Sequence, residues 1–304
     1  MTEFRRIQVR KDACLNVALA GNQRSPAVMM LHGFPESHRA WRAIAPKLED
    51  RFYLVMPDQL GFAGSDRPQD EKEYESDKLI DDIFELADAL GLETFALVGH
   101  DWGGAISWTA ALQRPERLSR LAIINAPHPY IFQKSLIEDS EQREASQYIT
   151  AFRTPGFEKA VEHMGFDTFF DKSFSKHVDL SIITEAEKQQ YLADWSQPGA
   201  LTAMLNWYRA SRLMVPPPGV TISPPDLLPK AFPKIEVPTL VVWGMNDSAL
   251  LPVQLDGLNE LVEDILVARL SDAGHFAPWE APDLVAKALE PFLAEDLPAI
   301  APAV

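Results

Sequence analysis

Cysteine is all but missing from this chain: Cys14 is the only one in 304 residues. An internal disulfide is therefore impossible, and a thiolate zinc site could draw at most one ligand, which suits a reducing compartment. Positive charge is also short. Lysine and arginine number 28 against 44 acidic residues, a formal net charge of -16, so nonspecific attraction to nucleic acid or to an anionic membrane surface is disfavoured. Long apolar runs are lacking as well. Stretches such as residues 27–31 are far too short to span a bilayer, and the charged opening MTEFRRIQVRK leads into no apolar secretory segment. No internal repeat is visible. What is present is ordinary globular material, 46% hydrophobic and 24% charged, which excludes a largely disordered or collagen-like chain. The expectation is a soluble, cytoplasmic protein, without membrane insertion or a nucleic-acid partner, long enough for two domains or one large α/β domain.

Short apolar segments alternate with helical patterns along the chain. LNVALA (residues 15–20), AVMMLHG (27–33) and, within RFYLVMPDQLG (51–61), the run up to Pro57 read as strands that stop at glycine or proline. Leu79, Ile80, Ile83, Phe84, Ala87 and Leu90 recur at helical spacing, with Gly91 as the stop. FALV (95–98), a helix ended by Pro115, and a further strand within LSRLAIINAPHP (118–129) repeat the alternation. After Pro129 the grammar changes: residues from about 130 to 212 are aromatic-rich and helical in pattern, with no run comparable to VMML or LAII. A proline-dense stretch then leads back, because it can continue neither a helix nor a central strand. TLVVWG (239–244) and DILVARL (264–270) resume the strands, APDLVAKALEPFL closes with a helix, and the Ala/Pro tail from Leu297 is expected to be loose. This implies βαβ units, a mostly parallel sheet and an inserted helical cap. The expected divisions are residues 1–129 for the first part of the core, 130–230 for the cap and return linker, and 231–304 for the rest.

Sheets of this kind bind ligands beyond the carboxyl ends of their strands, where the reactive residues fall. In Gly99-His100-Asp101-Trp102-Gly103 one reactive side chain stands among small residues at a strand-to-helix junction, as in a nucleophile elbow. An aspartate there can attack an electrophilic carbon and form an ester, although an aspartate before a helix also serves simply as its cap. Hydrolysing an ester needs a base. His275 lies just past the strand DILVARL and Asp247 just past TLVVWG, so nucleophile, acid and histidine follow in that chain order. Asp272 is nearer to His275 in sequence and is expected to shape the loop. The N–H groups of Phe34, in HGFP, and of Trp102 are candidate oxyanion donors. His32, His100 and His128 are expected to organise loops.

HGFPE, PDQLGFAGSDRP, GHDWGG, NAPHP, WGMND and GHFAPWE together resemble the α/β-hydrolase superfamily, specifically its epoxide hydrolase and haloalkane dehalogenase branch, from about residue 15 to 293. The resemblance implies an eight-stranded, mostly parallel sheet with a helical cap, with Asp101 as nucleophile, Asp247 and His275 as the charge-relay pair, and Phe34 and Trp102 as oxyanion donors. It also implies two cap tyrosines that hold and protonate the ring oxygen. Tyr148, seven residues before the PG of QYITAFRTPG, and Tyr208 in LTAMLNWYRA fit this need; Tyr130 and Tyr191 compete.

Hydrolysis of a small apolar epoxide to a vicinal diol, with no metal or organic cofactor, is the resulting expectation. The alternatives are a haloalkane or haloacid dehalogenase, in which Trp102 with Trp195 or Trp207 would cradle the halide, and a noncatalytic ligand-sensing scaffold. Phe34 stands where one group of dehalogenases carries a halide-binding Asn, and the elbow lacks the arginines of haloacetate-cleaving relatives. Sequence leaves monomer and homodimer equally open.

Overall fold

Eight strands form the sheet in the computed structural model, which describes residues 2–220, 228 and 232–294. In sequence they are β1 (Glu3–Arg10), β2 (Ala13–Ala20), β3 (Ala27–Leu31), β4 (Tyr53–Pro57), β5 (Phe95–His100), β6 (Leu118–Ile124), β7 (Thr239–Gly244) and β8 (Ile265–Leu270). In space their order is β1-β2-β4-β3-β5-β6-β7-β8. β1 pairs antiparallel with β2, and β2 with β4; the remaining neighbours are parallel. The strand the sequence reading missed is β1. It is an edge strand, largely exposed and rich in arginine, and an edge protected by charge carries little of the apolar alternation that marks a strand.

Alternate residues of the central strands feed two cores. Met29, Leu31, Leu97, Val241 and Trp243 point into one layer, while Val28, Met30, Val98, Leu240 and Val242 point into the other. That period of two, with both faces apolar, is why these strands read as continuous hydrophobic runs. The second layer is closed by the helix Pro282–Leu293 through Val285, Leu289 and Phe292. The first is closed by the helices Ser76–Ala89 and Trp102–Gln113, and it continues into the cap.

The cap runs from the helix Pro129–Glu138 to the helix Ala200–Ala210, and the described residues between them form no strand. It is tied to the sheet loops by indole and amide bonds: Trp195 Nε1 donates to the Pro35 carbonyl at 3.0 Å, Trp207 Nε1 to Leu60 at 2.9 Å, and Gln142 Nε2 to Ala249 at 2.8 Å. Of the proline-dense return segment, residues 221–227 and 229–231 lie outside the described residues, as does the tail from Leu297.

The strand order fixes where a site can form. The chain steps from β3 outward to β4 and then crosses back to β5 on the other side of β3, so the connections diverge between β3 and β5. Crevices open at such switch points, at the carboxyl ends of the strands. The segment after β3 carries Phe34, and the segment after β5 carries Asp101.

Candidate active site

Asp101 connects β5 to the helix Trp102–Gln113 with φ 50° and ψ -119°, a conformation that costs a residue with a side chain on the order of 1–3 kcal/mol. It stands at the helix N-cap, yet its side chain makes no capping hydrogen bond. The strain therefore serves to aim the carboxylate, whose Oδ1 accepts the Phe34 N–H at 2.7 Å. Two glycines permit the approach. A Cβ on Gly33 would overlap the Asp101 side chain, and one on Gly103 would overlap the Leu31 and His32 carbonyls. The Trp102 N–H makes no hydrogen bond to Asp101 in this state, whereas the Trp102 indole packs edge-on against Tyr208 with ring centroids 5.1 Å apart.

The loops after β7 and β8 bring Asp247 and His275 to the same place. His275 Nδ1 donates to Asp247 Oδ2 at 2.8 Å, and its Nε2 stands 3.6 Å from Asp101 Oδ2. Asp247 is buried but fully answered: Oδ1 accepts the N–H groups of Ala249 and Leu250, and Oδ2 also accepts Asn125 Nδ2, each at 2.8 Å. Burial opposes ionisation of both aspartates. The interaction with His275 outweighs it, helped by Leu250 and Asn125 at Asp247 and by His100 and Phe34 at Asp101, and holds both carboxyls below their usual range. Burial likewise opposes charge on His275, but the two carboxylates raise its pKa well above the ordinary histidine value. Asp101→Asn is accordingly expected to lower the His275 pKa, and Asp247→Asn to lower it further. A histidine-selective NMR titration of the two variants beside wild type measures both shifts.

Tyr148, on the helix Gln147–Arg153, and Tyr208, on the helix Ala200–Ala210, face each other edge-on with ring centroids 6.1 Å apart. Burial, and after it the negative charge of Asp101, pushes both phenols well above their ordinary pKa, so both hydroxyls stay protonated. Two cavities meet at these side chains, one of about 690 Å³ and one of about 270 Å³, and Asp101, Tyr148 and Tyr208 line both. Tyr130 packs on Phe232, and Tyr191 is buried among Phe170, Trp195 and Trp279; neither lines these cavities.

The remaining sequence candidates have other partners. Asp272 is exposed and, among the described residues, meets only Ser271. Both ring nitrogens of His32 are engaged, by the Gly33 carbonyl and the Gln59 N–H, and burial lowers its pKa to about 4. His100 donates through Nε2 to the His275 carbonyl at 2.8 Å. His128 caps the helix Pro129–Glu138 and is likewise lowered by burial to about 4. The indole N–H groups of Trp195 and Trp207 are committed to backbone carbonyls, as described for the cap. Among the described residues, no group of three or more His, Cys, Asp or Glu is arranged to hold a metal ion, and no helix is long and apolar enough to cross a membrane.

Sequence reasoning missed three residues that shape this site. Asn125, at φ 40° after β6, accepts the Gly244 N–H through Oδ1 while its amide holds Asp247; its signal was its position opening NAPHP at a strand end. Arg153 donates to the carbonyls of Tyr208, Ser211 and Leu213, locking the two tyrosine helices together, and nothing local announces a contact some 55 residues away. His177 stands 5.7 Å ring to ring from His275 and is pushed down to about 4 by burial and by the charge of His275.

Known proteins share this architecture. Residues 26–282 match the α/β hydrolase fold family. The chain is 37% identical to the AB hydrolase superfamily protein YfhM of Bacillus subtilis, over 78% of this chain and 79% of that one. Human epoxide hydrolase 4 is 30% identical, over 91% of this chain and 75% of its own length. A solved structure of an epoxide hydrolase from hot-environment metagenomes superposes with a TM-score of 0.90 and is 44% identical, covering 97% of this chain and 99% of that chain. The chain belongs to the α/β-hydrolase family.

Proposed function

We propose that the protein is an epoxide hydrolase, which converts an epoxide and water to a vicinal diol through an ester on Asp101. One observation carries the reading: an ionised carboxylate and two un-ionised phenols share the walls of the same cavities. An epoxide needs that pairing, a nucleophile for carbon and an acid for the departing oxygen.

In the first step Asp101 Oδ2, the oxygen not held by Phe34, forms a bond to a ring carbon from the side opposite the ring oxygen. The carbon–oxygen bond breaks, and the oxygen takes a proton from Tyr148 or Tyr208. The ester that results is neutral, so His275 loses one of the two carboxylates that kept it charged. It returns its extra proton to the phenolate and becomes a base. His275 then takes a proton from water, whose oxygen adds to the Asp101 carbonyl carbon, while the Phe34 and Trp102 N–H groups hold the negative oxygen. Collapse releases the diol oxygen, protonated by His275. Asp101, left as the acid, passes its proton back to His275, and the resting pair is restored. No metal or organic cofactor takes part.

On this reading residues 1–129 are the first part of the hydrolase core, 231–304 its second part and the C-terminal tail, and 130–230 the cap and return linker, both tyrosines coming from the cap. The substrate is an epoxide that carries an apolar substituent, and the single cysteine and acidic composition suit work in the cytosol away from nucleic acid. Halide chemistry fits less well, because Trp195 and Trp207 have no indole N–H left to pair with Trp102 around a halide. A noncatalytic sensor has no need for a strained aspartate beside a charged histidine. The test is a panel of styrene oxide, aliphatic epoxides, haloalkanes and fluoroacetate, assayed for diol and for halide release. Diol without halide is the expected result; halide release without diol refutes the reading.

A further inference from the structure

Two chambers of unlike character open from the point where Asp101, Tyr148 and Tyr208 converge. The smaller, about 270 Å³, is walled largely by Ile106, Phe132, Ile149, Leu213 and Leu250. Pockets that hold whole drug-sized ligands occupy roughly 300–1,000 Å³, so this one has room for a compact apolar substituent such as a phenyl ring or short alkyl chain. The larger, about 690 Å³, is lined by His177 and Ser248 and, at exposed positions that form a polar mouth, by Lys172, Lys176 and Glu144. The mouth thus carries a net charge of about plus one in a chain whose formal net charge is -16.

These lysines are not absorbed by the fold. Lys172 lies in the last turn of the helix Phe166–Phe174 and Lys176 just beyond its end; both are exposed, and among the described residues neither has a carboxylate within 4.0 Å. The acidic side chains of the same helix, Asp167 and Asp171, are taken by Lys188 at 3.0 Å each. A helix C-terminus favours nearby cations, but that does not account for two lysines lining the cavity that reaches Asp101.

We infer that the substrate is an epoxide substituted on both ring carbons, with a compact apolar group on one and, on the other, an arm ending in a carboxylate that Lys172 and Lys176 receive at the mouth. The inference rests on the epoxide hydrolase reading. An epoxide held between Asp101 and the two tyrosines has one chamber on each side, and a substrate with a single substituent leaves one of them empty. The epoxide sets the arm's anchor at Asp101, and because the charge of His275 is already engaged by Asp101 and Asp247, the unpaired lysines supply the cationic partners left among the lining residues of the larger chamber, His177 being neutral near pH 7. Glu144, exposed in the same lining, repels a carboxylate and so opposes the lysines.

Three substrates test this: styrene oxide, an epoxide bearing phenyl on one carbon and a carboxyalkyl chain on the other, and the methyl ester of the latter. Wild type is expected to prefer the acid to the ester in kcat/KM by about tenfold at low salt, the combined effect of two partly exposed ion pairs, and to lose most of this preference at high salt. The double variant Lys172→Gln/Lys176→Gln should bring the ratio to about one or below, and Glu144→Gln should raise it above wild type. Both changes are at exposed positions, and circular dichroism checks that the variants fold. If wild type opens styrene oxide but treats acid and ester alike, or if the acid preference survives in the double variant through Arg212 at the other chamber, the assignment is overturned while the epoxide reading stands. Turnover of none of the three overturns this inference, and if the aliphatic epoxides of the panel also yield no diol the epoxide reading falls with it.

Discussion

His275→Gln, mixed briefly with an epoxide and examined by intact-protein mass spectrometry, is expected to gain the mass of the whole epoxide. Ring opening has no departing fragment, so nothing is subtracted; a haloalkane would instead add its mass less HX. The gain should map to Asp101 and vanish when Asp101→Ala is added. The physical basis is the division of labour around the histidine. Asp101 is aimed by its own strained backbone and by the Phe34 N–H, both independent of the His275 side chain, whereas hydrolysis needs a base that glutamine cannot supply. Gln is chosen because its amide can still donate a hydrogen bond toward the buried Asp247, limiting the disturbance of a carboxylate that removal of its partner would leave charged and alone. Short times matter, since residual attack by water erodes the adduct. If wild type makes diol while rapid-quench samples of both proteins never contain the ester, water attacks the epoxide directly and Asp101 is not the nucleophile.

Replacing both tyrosines by phenylalanine is expected to slow alkylation of Asp101 by about 10²–10⁴-fold, the usual worth of a positioned acid, with Tyr208→Phe alone giving a smaller loss. Phenylalanine keeps the edge-on packing among Tyr148, Tyr208, Phe34 and Trp102, so the fold should survive and the deficit belongs to the hydroxyls. Single-turnover kinetics monitored by rapid quench isolate this step from ester hydrolysis. The pH dependence follows from the same burial. The carboxyl of Asp101 is held low, so the alkylation rate should persist as pH falls until below the usual carboxylate range. The phenols are held high, so it should persist as pH rises beyond the usual tyrosine range. Unchanged alkylation in the double variant would remove the tyrosines from the reaction.

Much of this protein is legible locally. A central strand buried on both faces must be a short apolar run, so β3 to β7 stand out in the sequence, and TLVVWG matches β7 residue for residue. A strained turn between strand and helix needs small neighbours, so GHDWGG marks Asp101. Edge strand β1 escapes because charge, rather than apolar alternation, is what an edge requires. Asn125 and Arg153 escape for a different reason: each acts by donating hydrogen bonds to groups distant in sequence, and no spacing along the chain encodes such a meeting. The sequence by itself determined the alternating α/β order and the chain order of Asp101, Asp247 and His275, because local sterics and burial dictate residue types, and its resemblance to epoxide hydrolases implied the two candidate tyrosines. Only the tertiary structure decided that the Trp195 and Trp207 indoles are spent on backbone carbonyls, that His275 sits charged between two carboxylates, and that the site opens into two unlike chambers, because each depends on distances between segments that the sheet and cap alone bring together.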